Sequence, residues 1–220
     1  YSRTDQPMKP VMSLGDWPTN AHMIADVAKL GYLDGRVLDL TYGLGRFWTQ
    51  HRPAHLITND PERPADHHVD ATNLSDLVTE FGRDSFDSVV FDPPYKLAGT
   101  ATPSTESMID AAYGVNQYRS AATVTELLRS GVRNSSYLVK PGGHVLVKCQ
   151  DQVVSGNVVW QTYGLVNWLT EYWNTPNTKH RLDLIADFKF PSYRPQPAGR
   201  SQLNARRNYS TLHVFRRNSK

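Results

Sequence analysis

A chain of 220 residues, 39% hydrophobic with five Trp and eleven Tyr, has material for one sizeable core and too little length for a second. Residues 1–220 are therefore expected to form a single α/β domain. Nowhere are there about 18 consecutive apolar residues, the opening residues carry no apolar run, and the lone Cys149 can form no internal disulfide; this sets aside membrane-spanning, secreted and disulfide-framed classes and gives a cytoplasmic expectation.

The formal net charge of +3 conceals a polarity. Residues 1–110 carry 9 Lys/Arg against 16 Asp/Glu, while residues 111–220 carry 15 against 5, with no acid after Asp187. The C-terminal half is the expected surface for a polyanion.

In chain order, "NAHMIADVAKLGYL" places Met23, Ile24, Val27, Ala28 and Leu30 at near-helical spacing, with Thr19 or Asn20 as N-cap and Gly31 as the stop. "GRVLDL" predicts a short buried strand running into "TYGLGRF", and "AHLITND" a second strand ending on an acid. "HHVDAT" predicts a third strand, "LSDLVTEF" a helix, and "FDSVVF" the clearest strand of the chain. A polar stretch over about 96–118 follows, too long for a plain connection and expected to act as a lid or binding loop. "YRSAATVTELLRSGVRNSSYLV" then predicts a helix, "PGGHVLVKCQ" a strand and "TYGLVNWLTEYW" an amphipathic helix. "RLDLIADFKF" and "STLHVFRR" are the last strands. With no helical pattern between them, they are expected to pair antiparallel around a basic insert at about 191–209. Strands alternating with helices predict a mainly parallel sheet covered on both faces.

Open α/β sheets bind ligands at the carboxyl ends of their strands, and three predicted strand ends carry acids or glycines. In "LDLTYGLG", Gly43 and Gly45 allow a tight turn with close backbone approach, and Asp39 can accept from an ammonium or hydroxyl group. Trp48 stands where a third glycine would complete GxGxxG, which counts against pyrophosphate binding and leaves an adenine nucleoside such as S-adenosylmethionine compatible. Asp60 follows at the end of the next strand, placed for ribose hydroxyls, and Asp70 follows "HHV", placed for an adenine amino group. Each of these acids is also a good helix N-cap.

The tetrad Asp92-Pro93-Pro94-Tyr95 closes the clearest strand. Two prolines remove backbone donors and fix φ, so nearby carbonyls are held as rigid acceptors. An exocyclic amino group has its lone pair delocalised into the ring and needs acceptors that draw it toward tetrahedral geometry; Asp92 and the Pro93 carbonyl are suited to that. Tyr95 is suited to stack on an extruded base. In the basic insert, Tyr193, Arg194, Arg200, Arg206 and Arg207 alternate with Gln and Asn, a mixture that neutralises phosphates, reads base edges and stacks. Cys149 lacks the neighbouring proline of a cytosine-carbon methylase and is read as a core residue, and the adjacent His67 and His68 point to opposite faces of a strand, so no metal is expected.

With these residues in place, the chain resembles S-adenosylmethionine-dependent amino-methyltransferases: "VLDLTYGLG" is similar to their motif I, "ITND" and "VDAT" to motifs II and III, "FDPPY" to motif IV, and "DWPTN", with Trp17, loosely to motif X. "FDPPYKL", "YGVNQY", "KPGGHVLVKCQDQ" and "YRPQPAGRSQLNARRNYSTLHVF" are closer still to small bacterial and phage DNA methylases, the likeness covering most of residues 15–216. The resemblance implies a Rossmann-like seven-stranded sheet, mostly parallel with a C-terminal antiparallel hairpin. It implies S-adenosylmethionine held by Trp17, Asp39, Thr41, Gly43, Gly45, Asp60 and Asp70, and catalysis by Asp92, Pro93, Pro94 and Tyr95. The substrate would be an amino group in DNA, adenine ahead of cytosine, contacted by Lys96 and the insert. An RNA methyltransferase, or a catalytically silent DNA-binding subunit of a modification or defence complex, is the alternative. Two departures stand out. Thr41-Tyr42 replaces the commoner Asp-Pro-Phe, and almost nothing remains for a target-recognition domain. Target choice must then come from the 96–118 loop, the basic insert, a homodimer partner or another subunit.

Overall fold

The computed structural model describes residues 10–97, 120–191, 204–205 and 207–218. The first helix, α1 (Asn20–Lys29), buries Ala21, Met23, Ile24 and Val27 along one stripe. It opens on the Thr19 carbonyl, which accepts from His22 and Met23, and closes at Gly31, whose φ of 81° lets its amide reach the Ala28 carbonyl. Strands β1 (Arg36–Asp39) and β2 (His55–Thr58) flank a single 3₁₀ turn, Arg46–Trp48. Helix α2 (Leu74–Phe81) is capped by the Asn73 side chain and leads into β3 (Phe86–Phe91). Helix α3 (Ala121–Leu138), capped by Ser120, runs directly into β4 (Val139–Cys149). A small hairpin, β5 (Gln152–Val154) and β6 (Asn157–Val159), precedes α4 (Gln161–Trp168). The chain then widens into a π-turn over Leu169–Trp173 and ends with β7 (Leu182–Pro191) and β8 (Tyr209–Arg217).

Six strands form the main sheet in the order β2-β1-β3-β4-β8-β7. The first four are parallel, and β8 lies antiparallel between β4 and β7, as the missing helical pattern between the last two strands predicts. Alternation along the strands splits the apolar residues between two cores. Val37, Val90, Leu146 and Val214 face α1, with Met23, Ile24 and Trp48. Leu38, Val89, Phe91, Val145, Val147 and Phe215 face the helices of the opposite layer, with Leu77, Val124 and Leu128. Gly131 lets α3 lie on the end of β3: a Cβ there would stand 2.2 Å from the Phe91 ring.

The expected seventh strand, "HHVDAT", is not formed. That segment makes one isolated bridge, Asn59 to His67, because side chains replace its ladder. Asn59 is fully buried; its Nδ2 donates to the Leu40 and Val69 carbonyls and its Oδ1 accepts from the Val69 amide. The Asp66 carboxylate accepts from both the amide and hydroxyl of Thr58. The sheet among the described residues therefore has six strands rather than seven. Among the described residues no helix is long and apolar enough to cross a membrane.

Candidate active site at the strand ends

Parallel strands discharge their carboxyl ends along one edge of the sheet, and the register decides which side chains meet there. Asp39 pairs with Val90 and Val90 with Leu146. Counting on by two, Asp92 and Lys148 continue the face of Val90 and Leu146. Asp39, Asp92 and Lys148 thus project from adjacent strands on the α1 side. They line a cavity of about 870 Å³ together with Asn20, Thr41, Gly43, Asp60, Asp70, Pro93, Pro94, Tyr95 and Lys96, a size within the usual range for cofactor sites.

The glycine turn forms the first wall. Gly43 and Gly45 have φ of 57° and 67°, the left-handed region that glycine enters without strain. Gly45 does not line the cavity. A Cβ there would meet the Tyr42 hydroxyl at 2.5 Å, so its smallness serves the turn itself. Asp39, only 3% exposed, accepts from the Thr41 amide at 3.0 Å and from the Trp48 indole at 2.7 Å. Burial pushes its pKa up to about 7; the bonds from Thr41 and Trp48 pull the other way, and the charges of Asp92 and Asp60 add to the rise.

Asp60 accepts from three backbone amides, Gly43, Glu62 and Arg63, at 2.8 to 2.9 Å. It therefore organises its own loop while its carboxylate stays on the cavity wall. Asp70 accepts from the amide and hydroxyl of Thr72, both at 2.8 Å, as a turn-forming acid does just ahead of the Asn73 cap.

The tetrad forms the second wall. The Asp92 amide donates to Thr41 Oγ1 at 2.7 Å, joining it to the glycine turn. Asp92 Oδ1 is buried with no hydrogen-bond partner and faces Lys148 Nζ at 3.5 Å. Burial raises the Asp92 pKa and Lys148 opposes that rise. For Lys148 itself burial favours the neutral amine, but Asp92 and Tyr95 outweigh it, and its pKa lies above the ordinary lysine value. Tyr95 is held at both ends. Its hydroxyl accepts from Lys148 Nζ at 2.9 Å, and its carbonyl accepts from Gln152 Nε2 at 2.7 Å and Gln161 Nε2 at 2.9 Å.

Trp48, Gln161, and Lys148 and Gln152 within "KPGGHVLVKCQDQ" build the site, though the sequence assigned none of them a role in it. The phase of "VLVKC" held a signal: a lysine in step with Leu146 inside an otherwise apolar run has to meet whatever the neighbouring parallel strand presents. Asn20, read as a cap, lines the cavity with its Oδ1 buried and unpartnered.

Trp17 lies elsewhere. Its indole is 8% exposed, donates to Asp26 at 2.8 Å and packs edge-on against Phe188. It anchors the N-terminal segment to the α1 core face and does not line the cavity. Burial pushes the Cys149 thiol up, the setting of an inert core residue. His67 pairs with Glu80, and among the described residues no group of three His, Cys, Asp or Glu is placed to hold a metal ion.

Of the predicted polyanion contacts, Lys96 lines the cavity. Arg207 stacks its guanidinium 4.2 Å over the half-exposed Trp160 ring, while its carbonyl accepts from the cavity-lining Gln150. Tyr193, Arg194, Arg200, Arg206 and most of the 96–118 loop lie outside the described residues.

No protein-family model matches the chain, and neither does any curated protein. Among solved structures, the protein PH0851 superposes with a TM-score of 0.51 at 14% identity, over 90% of this chain and 45% of that chain. That likeness shows the fold alone. A putative DNA modification methylase from Thermus thermophilus, complexed with S-adenosyl-L-methionine, matches with a TM-score of 0.44 at 13% identity over 84% of this chain and 56% of that chain. The PvuII cytosine-N4-specific DNA methyltransferase matches with a TM-score of 0.44 at 15% identity over 65% of this chain and 46% of that chain. The chain spans about half the length of these structures.

Proposed function

We propose that the protein is an S-adenosylmethionine-dependent methyltransferase acting on an exocyclic amino group of a nucleobase in DNA, adenine ahead of cytosine. The observation that carries this reading is Asp92 Oδ1: a buried carboxylate oxygen without a hydrogen-bond partner, beside Pro93 and Tyr95 on the wall of a large cavity. The Lys148 ammonium balances its charge from 3.5 Å but leaves acceptor capacity on the carboxylate, which an amino hydrogen entering the cavity can fill.

The cavity's donor set suits the cofactor. Asp39 is assigned to the methionine ammonium, Asp60 to the ribose hydroxyls and Asp70 to the adenine amino group, all three lining the cavity. Gly43 gives the backbone its close approach. When bound, S-adenosylmethionine supplies a methyl group on a sulfonium centre, whose carbon–sulfur bond breaks with the electron pair left on sulfur.

This chain's residues have the complementary work of orientation and charge. Two amides already occupy the Tyr95 carbonyl, so Asp92 and the Pro93 carbonyl are the acceptors assigned to the substrate amine. Drawn toward tetrahedral geometry, the nitrogen forms its new bond to carbon, becomes positively charged and passes its surplus proton to Asp92 and on to water. Tyr95 supplies the stacking face. The basic C-terminal half and the Arg207–Trp160 pair near the cavity rim favour a nucleic acid over a protein as substrate.

Incubation with methyl-labelled cofactor and separate DNA, RNA and protein pools, followed by nucleoside mass spectrometry, tests the reading. N6-methyladenine or N4-methylcytosine in DNA, lost in Asp92→Ala with cofactor binding retained, is the expected result. Label confined to RNA or protein, or none in any pool, overturns it.

A further inference from the structure

The stretch Lys148-Cys149-Gln150-Asp151-Gln152 joins the end of β4 to the start of β5, and four of its five side chains bind other parts of the site. Gln150 holds the Arg207 carbonyl, Asp151 accepts from the amide and hydroxyl of Thr162 in the first turn of α4, and Gln152 holds the Tyr95 carbonyl. Lys148 is the most unusual of them. It is 4% exposed, a burial that lysine tolerates only when paired. Its ammonium sits 2.9 Å from the Tyr95 hydroxyl, 3.5 Å from Asp92 Oδ1, and 5.1 and 5.6 Å from the Tyr95 and Phe47 ring centroids.

We propose that Lys148 is a positioning residue for methyl transfer: its buried ammonium keeps Asp92 in the form that accepts an amino hydrogen and fixes the Tyr95 ring against which the target base stacks. The proposal rests on the amino-methyltransferase reading above.

The physical case follows from what surrounds Asp92. The Lys148 ammonium faces it at 3.5 Å, while the Asp39 carboxyl on β1 and the Cys149 thiol, on the opposite face of β4, feel its charge. Burial favours the protonated acid, and the Lys148 ammonium opposes it. A protonated carboxyl presents a donor where the substrate amine also presents one, so the acid form rejects the substrate. An opposite charge within about 4–6 Å typically lowers a carboxyl pKa by 1–3, so the Lys148 ammonium at 3.5 Å shifts Asp92 toward its ionised form. The same ammonium holds the Tyr95 hydroxyl while Gln152 and Gln161 hold the Tyr95 backbone carbonyl, so the ring is fixed from both sides. One cation thereby couples the acceptor to the stacking face.

The test uses Lys148→Met, similar in length and uncharged, with Lys148→Gln as a second variant that keeps a donor for Tyr95 and loses the charge. Single-turnover methyl transfer at saturating cofactor and DNA is measured across pH 5–9. In parallel, the Asp92 carboxyl is titrated by carbon-13 NMR, assigned with Asp92→Asn. In both variants the acid limb of the rate profile and the Asp92 titration are expected to move up by about one pH unit or more, a roughly tenfold loss of rate on the acid side beyond any uniform loss. Lys148→Arg should return the limb to near its original place. Rate profiles that differ from wild type by a constant factor at every pH, with an unmoved Asp92 titration, overturn the proposal and leave Lys148 a packing residue. If the wild-type protein methylates no nucleic acid while the Asp92 titration still moves, the functional reading falls and the Lys148 pairing stands.

Discussion

Trp48→Phe probes the balance of forces on Asp39. In the folded protein this carboxyl has its pKa pushed from 3.8 up to about 7 by burial, which corresponds to about 4 kcal/mol between its two protonation states. Because the folded pKa lies above the unfolded one, the folded state binds the extra proton between these values. Asp39's contribution to stability is full below about pH 4, declines as pH rises through about 7, and is constant beyond. The Trp48 indole, donating to Oδ2 at 2.7 Å, limits this loss by favouring the ionised form. Phenylalanine fills most of the indole's volume but offers no donor, so the ionised carboxylate loses a bond of about 1.5–3 kcal/mol. The volume change is felt equally at every pH; the lost bond is felt chiefly where Asp39 is charged. Thermal melts of the two proteins at pH 5 and pH 9 should show a gap in Tm that widens by several degrees at the higher pH, at about 2–4 °C per kcal/mol for a chain of this size. An equal gap at both pH values would refute the assigned role of the indole.

Cofactor binding should follow the same group: affinity for S-adenosylmethionine should rise up to about tenfold per pH unit below 7 and level off above, with proton release detected by calorimetry in buffers of different ionisation heat. Gln152→Leu removes one of the two donors to the Tyr95 carbonyl. It should lower methyl transfer at least about tenfold, about 1.4 kcal/mol in the barrier, with cofactor affinity unchanged by titration. Gly131→Ala drives a Cβ into the Phe91 ring and should destabilise by about 1–3 kcal/mol in urea melts. Trp160→Ala should weaken single-stranded DNA binding by about 1–3 kcal/mol if the exposed indole stacks a base, and Arg207→Ala should reduce the salt slope of binding by about one; both are read by fluorescence anisotropy.

The sheet was legible in the sequence wherever local pattern and tertiary role agree. "FDSVVF" is a strand because Val89, Val90 and Phe91 face two cores alternately, and "LSDLVTEF" is a helix with its cap in place. "HHVDAT" misled because β-branching and alternation register side-chain character, not the Asn59 and Asp66 side chains that take up the backbone groups a ladder would use. Asp39, Asp60, Asp70, Asp92 and Gly43, which line the cavity, stood out because acids and glycines at strand ends leave a residue-type signature. Lys148, Gln152 and Gln161 were not, since their roles arise from contacts 53 to 66 residues distant in sequence. Trp17 illustrates the converse: an aromatic that only a loose motif resemblance tied to the cofactor, and that packing claims for the core.

One strand end holds the tetrad carbonyl, the first turn of α4 and the approach to β8 at the same time. These elements cannot loosen independently. The amide protons of Leu97 and Thr162, which donate to Gln152 Oε1 and Asp151 Oδ1, should exchange with solvent through one shared opening event, so that a ligand tightening either one slows exchange at both.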